Sequence, residues 1–376
     1  MSGPLAGIRV IEIAGLGPGP FCGMLLADLG AEVIRIERIK GALVVPMDLL
    51  NRGRHTLSVD LKSPAGADLV KRLVKKADVL IEGFRPGVAE RLGIGPEPCL
   101  EINPALVYGR ITGWGQDGPI AQRAGHDINY IALSGALHPI GAADGPPTIP
   151  LNLVGDFGGG GMLLAVGILA AVLHSKTTGE GQVVDAAMVD GSALLTTMFH
   201  GLMASGMWTT ERGANLLDGA APFYRCYETA DGGYMAVGAI EPKFYALLVH
   251  GLGLDSTELP GQYDRMRWAE LRTRFQDVFL SETRQHWTEK FEDVDACVYP
   301  VLSMAEAPRH RHNQHRATFA TIDGCVQPAP APRFSKTPVE LTGQADMDGR
   351  QASSILLKLG LNQHEIDGLK SAGTLG

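Results

Sequence analysis

The chain has 376 residues, 45% hydrophobic and 20% charged, which are the proportions of a folded soluble protein long enough for two domains. Its formal net charge of -8 argues against nucleic acid as the main partner. Five scattered cysteines, Cys22, Cys99, Cys226, Cys297 and Cys325, include no CxxC pair, which suits a reducing cytosol and excludes a disulfide framework or a cysteine zinc site.

The N-terminus shows no basic region leading into an apolar stretch, so no signal peptide is expected. Ile8 to Ala14, rich in Ile and Val, predicts a buried strand. Gly15-Leu16-Gly17-Pro18-Gly19-Pro20 follows, then a predicted helix from Phe21 to Leu29 and a strand from Glu32 to Ile36, ending at Glu37-Arg38. The unit resembles a dinucleotide fingerprint, but Pro18 and Pro20 remove backbone N–H groups that would cradle a pyrophosphate. The expectation is therefore a Rossmann-like parallel sheet without a nicotinamide site.

Leu57 to Leu61 predicts a strand, and Ser63 to Ala77 a helix with Ser63 as its cap and Pro64 at its first position. Val79 to Glu82 is a further strand, followed by Gly83-Phe84-Arg85-Pro86-Gly87, and Ala105 to Thr112 another. Alternating strands and helices predict a parallel sheet with ligands at the carboxyl ends of its strands. Basic residues gather in this region: Arg35, Arg38, Lys40, Arg52, Arg54, Lys62, Arg85 and Arg91. In an acidic chain such a set predicts either a polyanionic small ligand, met by bidentate arginines, or a solvated face balancing the acidic residues.

Gly125-His126-Asp127-Ile128-Asn129-Tyr130 comes next, and then Asp156 on the glycine-rich turn Gly155 to Gly161. A histidine and a carboxylate are the side chains that exchange protons near neutral pH. Taken singly, His126 also reads as a structural histidine and Asp156 as a cap. The apolar stretch Met162 to Leu173 falls short of the ~20 residues a membrane span needs. Val183 to Ala187 predicts a strand, and Ser192 to Met207 a helix bearing Met198, Met203 and Met207, either core or the lining of an adaptable apolar pocket.

Gly213 to Pro222 reads as a connection. Two strands, Phe223 to Glu228 and Tyr234 to Gly238, precede a helix from Pro242 to Leu252 with Glu241 at its start, where the helix dipole favours a carboxylate. Arg265 to Glu292 is largely helical, so Phe223 to Leu302 forms a second, α+β domain. The histidines of Arg309 to Arg316 stand among arginines, which repel a cation, so a polar surface segment is expected rather than a metal site. Pro328 to Pro332 predicts a stiff linker, and Ser353 to Leu359 and Gln363 to Ala372 terminal helices. The last residues, Thr374-Leu375-Gly376, are not the peroxisomal Ser-Lys-Leu address, and the expected location is cytoplasmic.

Several motifs in this order resemble the family III coenzyme A transferase fold, and within it the racemases of 2-methylacyl-CoA thioesters. They are Pro4 to Glu12 with the Gly-Pro-Gly-Pro loop, Leu26 to Arg35, Asn51-Arg52-Gly53, Asp60-Leu61-Lys62, Phe84-Arg85-Pro86-Gly87, Gly113-Trp114-Gly115-Gln116, Gly125-His126-Asp127, Val184 to Gly191, Ala221 to Tyr224 and Pro332 to Ser335. The resemblance implies an α/β fold. A Rossmann-like large domain with a parallel sheet takes residues 1–190 and 326–376, a small α+β domain takes 223–302, and 191–222 and 303–325 connect them. It also implies two chains interlocked as an obligate homodimer, with each site between one chain's large domain and the other chain's small domain.

Residue by residue, the resemblance implies paired bases at His126 and Asp156, with Glu241 of the other subunit as the acidic partner of the histidine. Coenzyme A contacts fall on Arg38, on Val59, Asp60, Leu61 and Lys62, on Gly83, Phe84 and Arg85, on Arg91, and on Gly125, Asp127, Ile128, Asn129 and Tyr130. Coenzyme A is then part of the substrate, and no separate cofactor is expected. The basic residues noted above acquire a role as partners of its phosphates.

The implied reaction inverts the α-carbon of the thioester through an enolate, with His126 the base for the S substrate and Asp156 for the R substrate. A backbone N–H near Asp127 is the candidate donor to the enolate oxygen. The second reading is coenzyme A transfer through an anhydride on Asp156, where transferases of the fold tend to carry tyrosine at position 126. A third is an acyl-CoA-binding protein without chemistry. The chain departs from the family at Arg54-His55, where Lys-Arg is common, and Gly41 to Leu50 follows no pattern.

Overall fold

In a computed structural model that describes residues 2–39, 48–339, 341, 343 and 351–376, six parallel strands make the main sheet. They are β1 (Arg9–Ile13), β2 (Glu32–Glu37), β3 (Arg54–Ser58), β4 (Val79–Glu82), β5 (Val107–Thr112) and β6 (Gln182–Ala187). Their order across the sheet is β3-β2-β1-β4-β5-β6. The β-branched runs of β1, β2 and β4 are buried almost throughout, as parallel strands covered on both faces must be.

Side chains alternate between the two covered faces. Ile11, Ile34, Leu57, Leu80 and Tyr108 meet Leu69 and Leu73 of the helix Pro64–Val74, together with Ile355 and Ile366 of the C-terminal helices. Val10, Val33, Val79, Ile81 and Val107 meet Leu26 of the helix Pro18–Asp28 and Leu164 and Ile168 of the helix Leu163–Thr178. Ser63 caps its helix as expected: its Oγ accepts the Gly66 N–H at 3.0 Å.

The first helix begins at Pro18, not Phe21. In the first turn, proline's fixed φ suits the helix and its missing N–H has no partner to lose. The larger correction is at Gly155 to Gly161, which is no turn. Leu153–Met162 is a π-helix that runs on into Leu163–Thr178, making 26 continuous helical residues. Its glycines serve close packing. A Cβ on Gly159 would lie 2.7 Å from the Ser192 nitrogen, and one on Gly161 would lie 2.7 Å from the Pro18 oxygen. By length and composition this helix is long and apolar enough to cross a membrane, which the shorter run Met162 to Leu173 did not suggest. In the fold, Leu164 and Ile168 lie over Gly109 of β5.

The predicted helix Ser192 to Met207 is two helices, Met188–Leu195 and Thr197–Ala204. Strand β3 starts three residues before Leu57, and a hairpin, β10 (Phe319–Ile322) with β11 (Cys325–Pro328), enters ground expected to be loop and linker.

The chain divides into two units. The first takes Met1–Ser134, Leu151–Leu195 and Gln314–Gly376, and the second Gly135–Pro150 and Thr196–Asn313. The second holds an antiparallel sheet of β7 (Tyr224–Glu228), β8 (Tyr234–Gly238) and β9 (Val298–Pro300), the last too short to show in the sequence. An aromatic core of Phe223, Tyr227, Trp268, Phe275, Phe279 and Trp287 lies under it. Both units thus carry their own buried core.

Candidate active site

The strand order reverses between β1 and β4, and the chain leaves these strands in opposite lateral directions. Such a reversal opens a crevice at the carboxyl ends of the strands. Here it is a cleft of about 460 Å³. Gly15 to Pro20 after β1, Gly83 to Pro86 after β4, and Thr112 to Trp114 after β5 line it, with Arg38 beyond β2. His126, Tyr130 and Asp156 line it too.

His126 is the N-cap residue of the helix Asp127–Leu133, in extended backbone. Its backbone N–H donates to Asn129 Oδ1 at 3.1 Å and its carbonyl accepts the Asn129 N–H at 2.8 Å, fixing the residue from the main chain. The imidazole is left exposed on the cleft. Asp156 stands in the first turn of the π-helix, half-buried. Its Oδ2 accepts the Asn152 side-chain N–H at 3.1 Å, and its backbone N–H donates to Asp127 Oδ2 at 2.7 Å.

Burial raises the Asp156 carboxyl above its ordinary value, and the nearby Asp127 charge pushes the same way. The Asn152 hydrogen bond and His126 pull against them. The result is a carboxyl that ionises less readily than that of a free aspartate.

Tyr130 forms one wall of the cleft. Its ring meets Trp114 edge-on at 4.8 Å, and its hydroxyl donates to the Gly125 carbonyl. Gly113 and Gly125 leave room for that ring: a Cβ on either would lie 2.2 or 2.7 Å from Tyr130 Cε1. Burial pushes the Tyr130 hydroxyl up to about 12, so it stays a neutral donor.

Residues 5–349 match the model of CoA-transferase family III. The chain belongs to this family. An alpha-methylacyl-CoA racemase of Mus musculus is 48% identical over 365 residues, 96% of this chain and 95% of that one. The alpha-methylacyl-CoA racemase of Homo sapiens is 47% identical, covering 98% of this chain and 96% of that one. Among solved structures, a CAIB/BAIF family protein from Brucella suis superposes with a TM-score of 0.83 at 25% identity, covering 96% of this chain and 100% of that one.

The cleft collects only part of what family III resemblance suggested. Arg38, Gly83, Phe84, Arg85, Gly125 and Tyr130 line it beside His126 and Asp156. Asp127 lies behind it, buried, and Ile128 and Asn129 are exposed on the same helix. Val59, Asp60, Leu61, Lys62 and Arg91 lie outside its lining. Val59 is buried and bridges to Leu375, and the Asp60 N–H donates to the Thr374 carbonyl at 3.0 Å. Lys62 and Arg91 are exposed. Glu241 belongs to the second unit, at the N-cap position of the helix Pro242–Gly251, exposed and making no side-chain cap bond.

The basic set resolves into different jobs. Arg38 and Arg85 are exposed on the cleft. Arg35, Arg52 and Arg54 are buried and paired with carboxylates, so these three correct the expectation of a phosphate role. Arg54 reaches Glu12 at 2.8 Å with both side chains fully buried, Arg52 meets Asp28 at 2.5 Å, and Arg35 meets Glu37 at 2.6 Å. Lys40 lies outside the described residues, as does Gly41 to Leu50 except for Asp48, Leu49 and Leu50.

Sequence reading missed Asn152 and the side chain of Asp127. Asn152 precedes Asp156 by one helical turn, a spacing that had meaning only once the glycine run was seen as helix. Arg123, also exposed on the cleft, stands alone in the sequence and carried no signal.

Proposed function

We propose that the protein is a racemase that inverts the α-carbon of 2-methylacyl-CoA thioesters. The observation that carries this reading is the placement of His126 and Asp156, from two separate helices, on one cleft, with Asp156 raised by burial. The near full-length likeness to two alpha-methylacyl-CoA racemases supports it.

In the S-to-R direction neutral His126 removes the α-proton while protonated Asp156 delivers one to the opposite face. In the R-to-S direction the Asp156 carboxylate is the base and the His126 imidazolium the acid. A raised carboxyl suits both tasks, because it must hold a proton in one half of the cycle and release it in the other. The electron pair left on the α-carbon delocalises into the thioester as an enolate, and the backbone N–H of Asp127, first in its helix, donates to the enolate oxygen. Exposed Arg38 and Arg85 meet the phosphates of coenzyme A.

The working unit in this reading is a homodimer. Met162, Val166 and Leu173 form an exposed apolar stripe on one helix, 52%, 63% and 68% accessible in the single chain, and exposed Leu194 and Leu195 add to the apolar surface. Surface of this kind supports burial against a second copy. Glu241, exposed and free of any cap bond, would then orient His126 of the other chain.

Coenzyme A transfer through an Asp156 anhydride is the second reading. It needs only Asp156 as nucleophile and leaves His126, on the same cleft, without a role. Separate incubations with (R)- and (S)-2-methylacyl-CoA, each with and without a free carboxylic acid, distinguish the two. Interconversion of both enantiomers without transfer is expected. A new acyl-CoA formed from the added acid, with the enantiomers unchanged, would overturn the racemase reading.

A further inference from the structure

Asp127 follows His126 directly and begins the helix Asp127–Leu133. It is only 6% exposed. Its Oδ2 accepts the Asp156 backbone N–H at 2.7 Å, and its Oδ1 is buried with no hydrogen-bond partner among the described residues. Gly155 makes the approach possible, since a Cβ there would lie 2.7 Å from that Oδ2. A buried carboxylate with one oxygen unsatisfied is a costly way to accept one N–H bond. An asparagine would accept the same bond through its amide oxygen without burying a charge. What Asp127 adds is therefore its negative charge, held one residue from His126 and against the first turn that carries Asp156.

We propose that Asp127 is a positioning residue: its Oδ2 anchors the Asp156 turn, and its buried carboxylate is held against that turn, where it repels a second negative charge. The inference rests on the racemase reading and assigns a further residue to it. The groups facing Asp156 are few. His126 caps the helix Asp127–Leu133 and Tyr130 lies within it, Asn152 stands at the N-cap of the helix that carries Asp156, and uncharged Gly17 comes from the loop after β1, where a Cβ would lie 3.0 Å from Asp156 Oδ2. Among the described residues, Arg38, Arg85 and Arg123 are the other charges on the cleft. Within this set only Asp127 repels the ionised form of Asp156 through a fixed, buried carboxylate. Burial and that charge act together to raise the Asp156 carboxyl, with burial the larger cause.

The test is Asp127→Asn, read by the pH dependence of kcat/KM for racemisation, with wild type and Asp156→Asn as references. The acid limb reports protonation of the Asp156 carboxylate. Removing the neighbouring charge makes that carboxylate easier to form, so the limb moves to lower pH, by on the order of one unit. The melting temperature is expected unchanged or raised, because the anchoring bond survives and the orphaned charge is gone. An acid limb that stays in place in Asp127→Asn would overturn the proposal. Should that variant not fold, Asp127→Ser, which keeps an acceptor without charge, gives the same readout. Failure of the racemase reading shows separately, as a wild type that does not invert or an Asp156→Asn that still does, and in that case this assignment falls with it.

Discussion

At the residue scale the site depends on where each charge is buried and where it is left in water. Asp156 is raised above the ordinary aspartate value of 3.8. From that value upward the folded state binds more protons than the unfolded chain, so this group's contribution to stability falls as pH rises through the window. Asp156→Asn is expected to lower the racemisation rate by ~10²–10⁴ and yet to melt higher than wild type at neutral pH. The melting gap should close below about pH 4, where both states of the wild type are protonated; a gap that persists in acid would contradict the assignment of the shift. Arg54 and Arg85 make a second contrast. Arg54→Ala leaves Glu12 buried without its partner, which costs about 3–5 kcal/mol of stability. Arg85→Ala should leave melting unchanged and raise KM for the acyl-CoA about tenfold, the loss of one charged hydrogen bond of roughly 1.5 kcal/mol. Melting curves and KM values for the two variants check this division. Sequence showed that arginines cluster here but not which were paired, because Glu12 and Asp28 meet them only through the sheet register and the helix behind it.

At the element scale the glycines of the π-helix matter most. Gly191 of the helix Met188–Leu195 meets Gly159 so closely that a Cβ on it would lie 1.8 Å from the Gly159 oxygen. Gly191→Ala must push the two helices apart and with them the turn holding Asp156. A loss of about 1–3 kcal/mol, typical of overpacking, is expected, with a fall in kcat larger than any change in KM. Unchanged kcat beside a lowered melting temperature would show that Asp156 does not depend on this contact. The strands β1, β2, β4 and β5 were legible because their β-branched runs are buried on both faces, and the helix Pro64–Val74 because Ser63 and Pro64 mark its start. The π-helix was not legible. A run of glycines reads as a turn from local preference alone, and only the helix lying against it shows why side chains are absent.

At the scale of the whole molecule, the six-stranded order with its reversal between β1 and β4 places the cleft, and the alternation of strands and helices announced such a sheet. His126 and Asp156 were legible as residue types, but the cleft that joins them depends on pairing across the sheet. Glu241 sets the remaining question, since it lies in the second unit. If it serves the partner chain's histidine, co-expressing His126→Ala and Glu241→Ala chains will produce mixed dimers with one intact site. Those preparations should regain up to about half the wild-type activity per mixed dimer, whereas each variant alone stays inactive. No recovery in verified mixed dimers would mean that Glu241 and His126 of one chain act together.

The central claim is that two bases face each other across the α-carbon. The most direct measurement is α-proton exchange in D2O, followed by mass spectrometry and chiral separation, on (R)- and (S)-2-methylacyl-CoA in separate reactions. The wild type should place deuterium at the α-carbon as each enantiomer inverts. His126→Ala and Asp156→Ala should each lose inversion, and each should exchange most readily the enantiomer whose base it retains. Inversion that survives removal of either side chain, or a wild type that neither exchanges nor inverts, would contradict the two-base account.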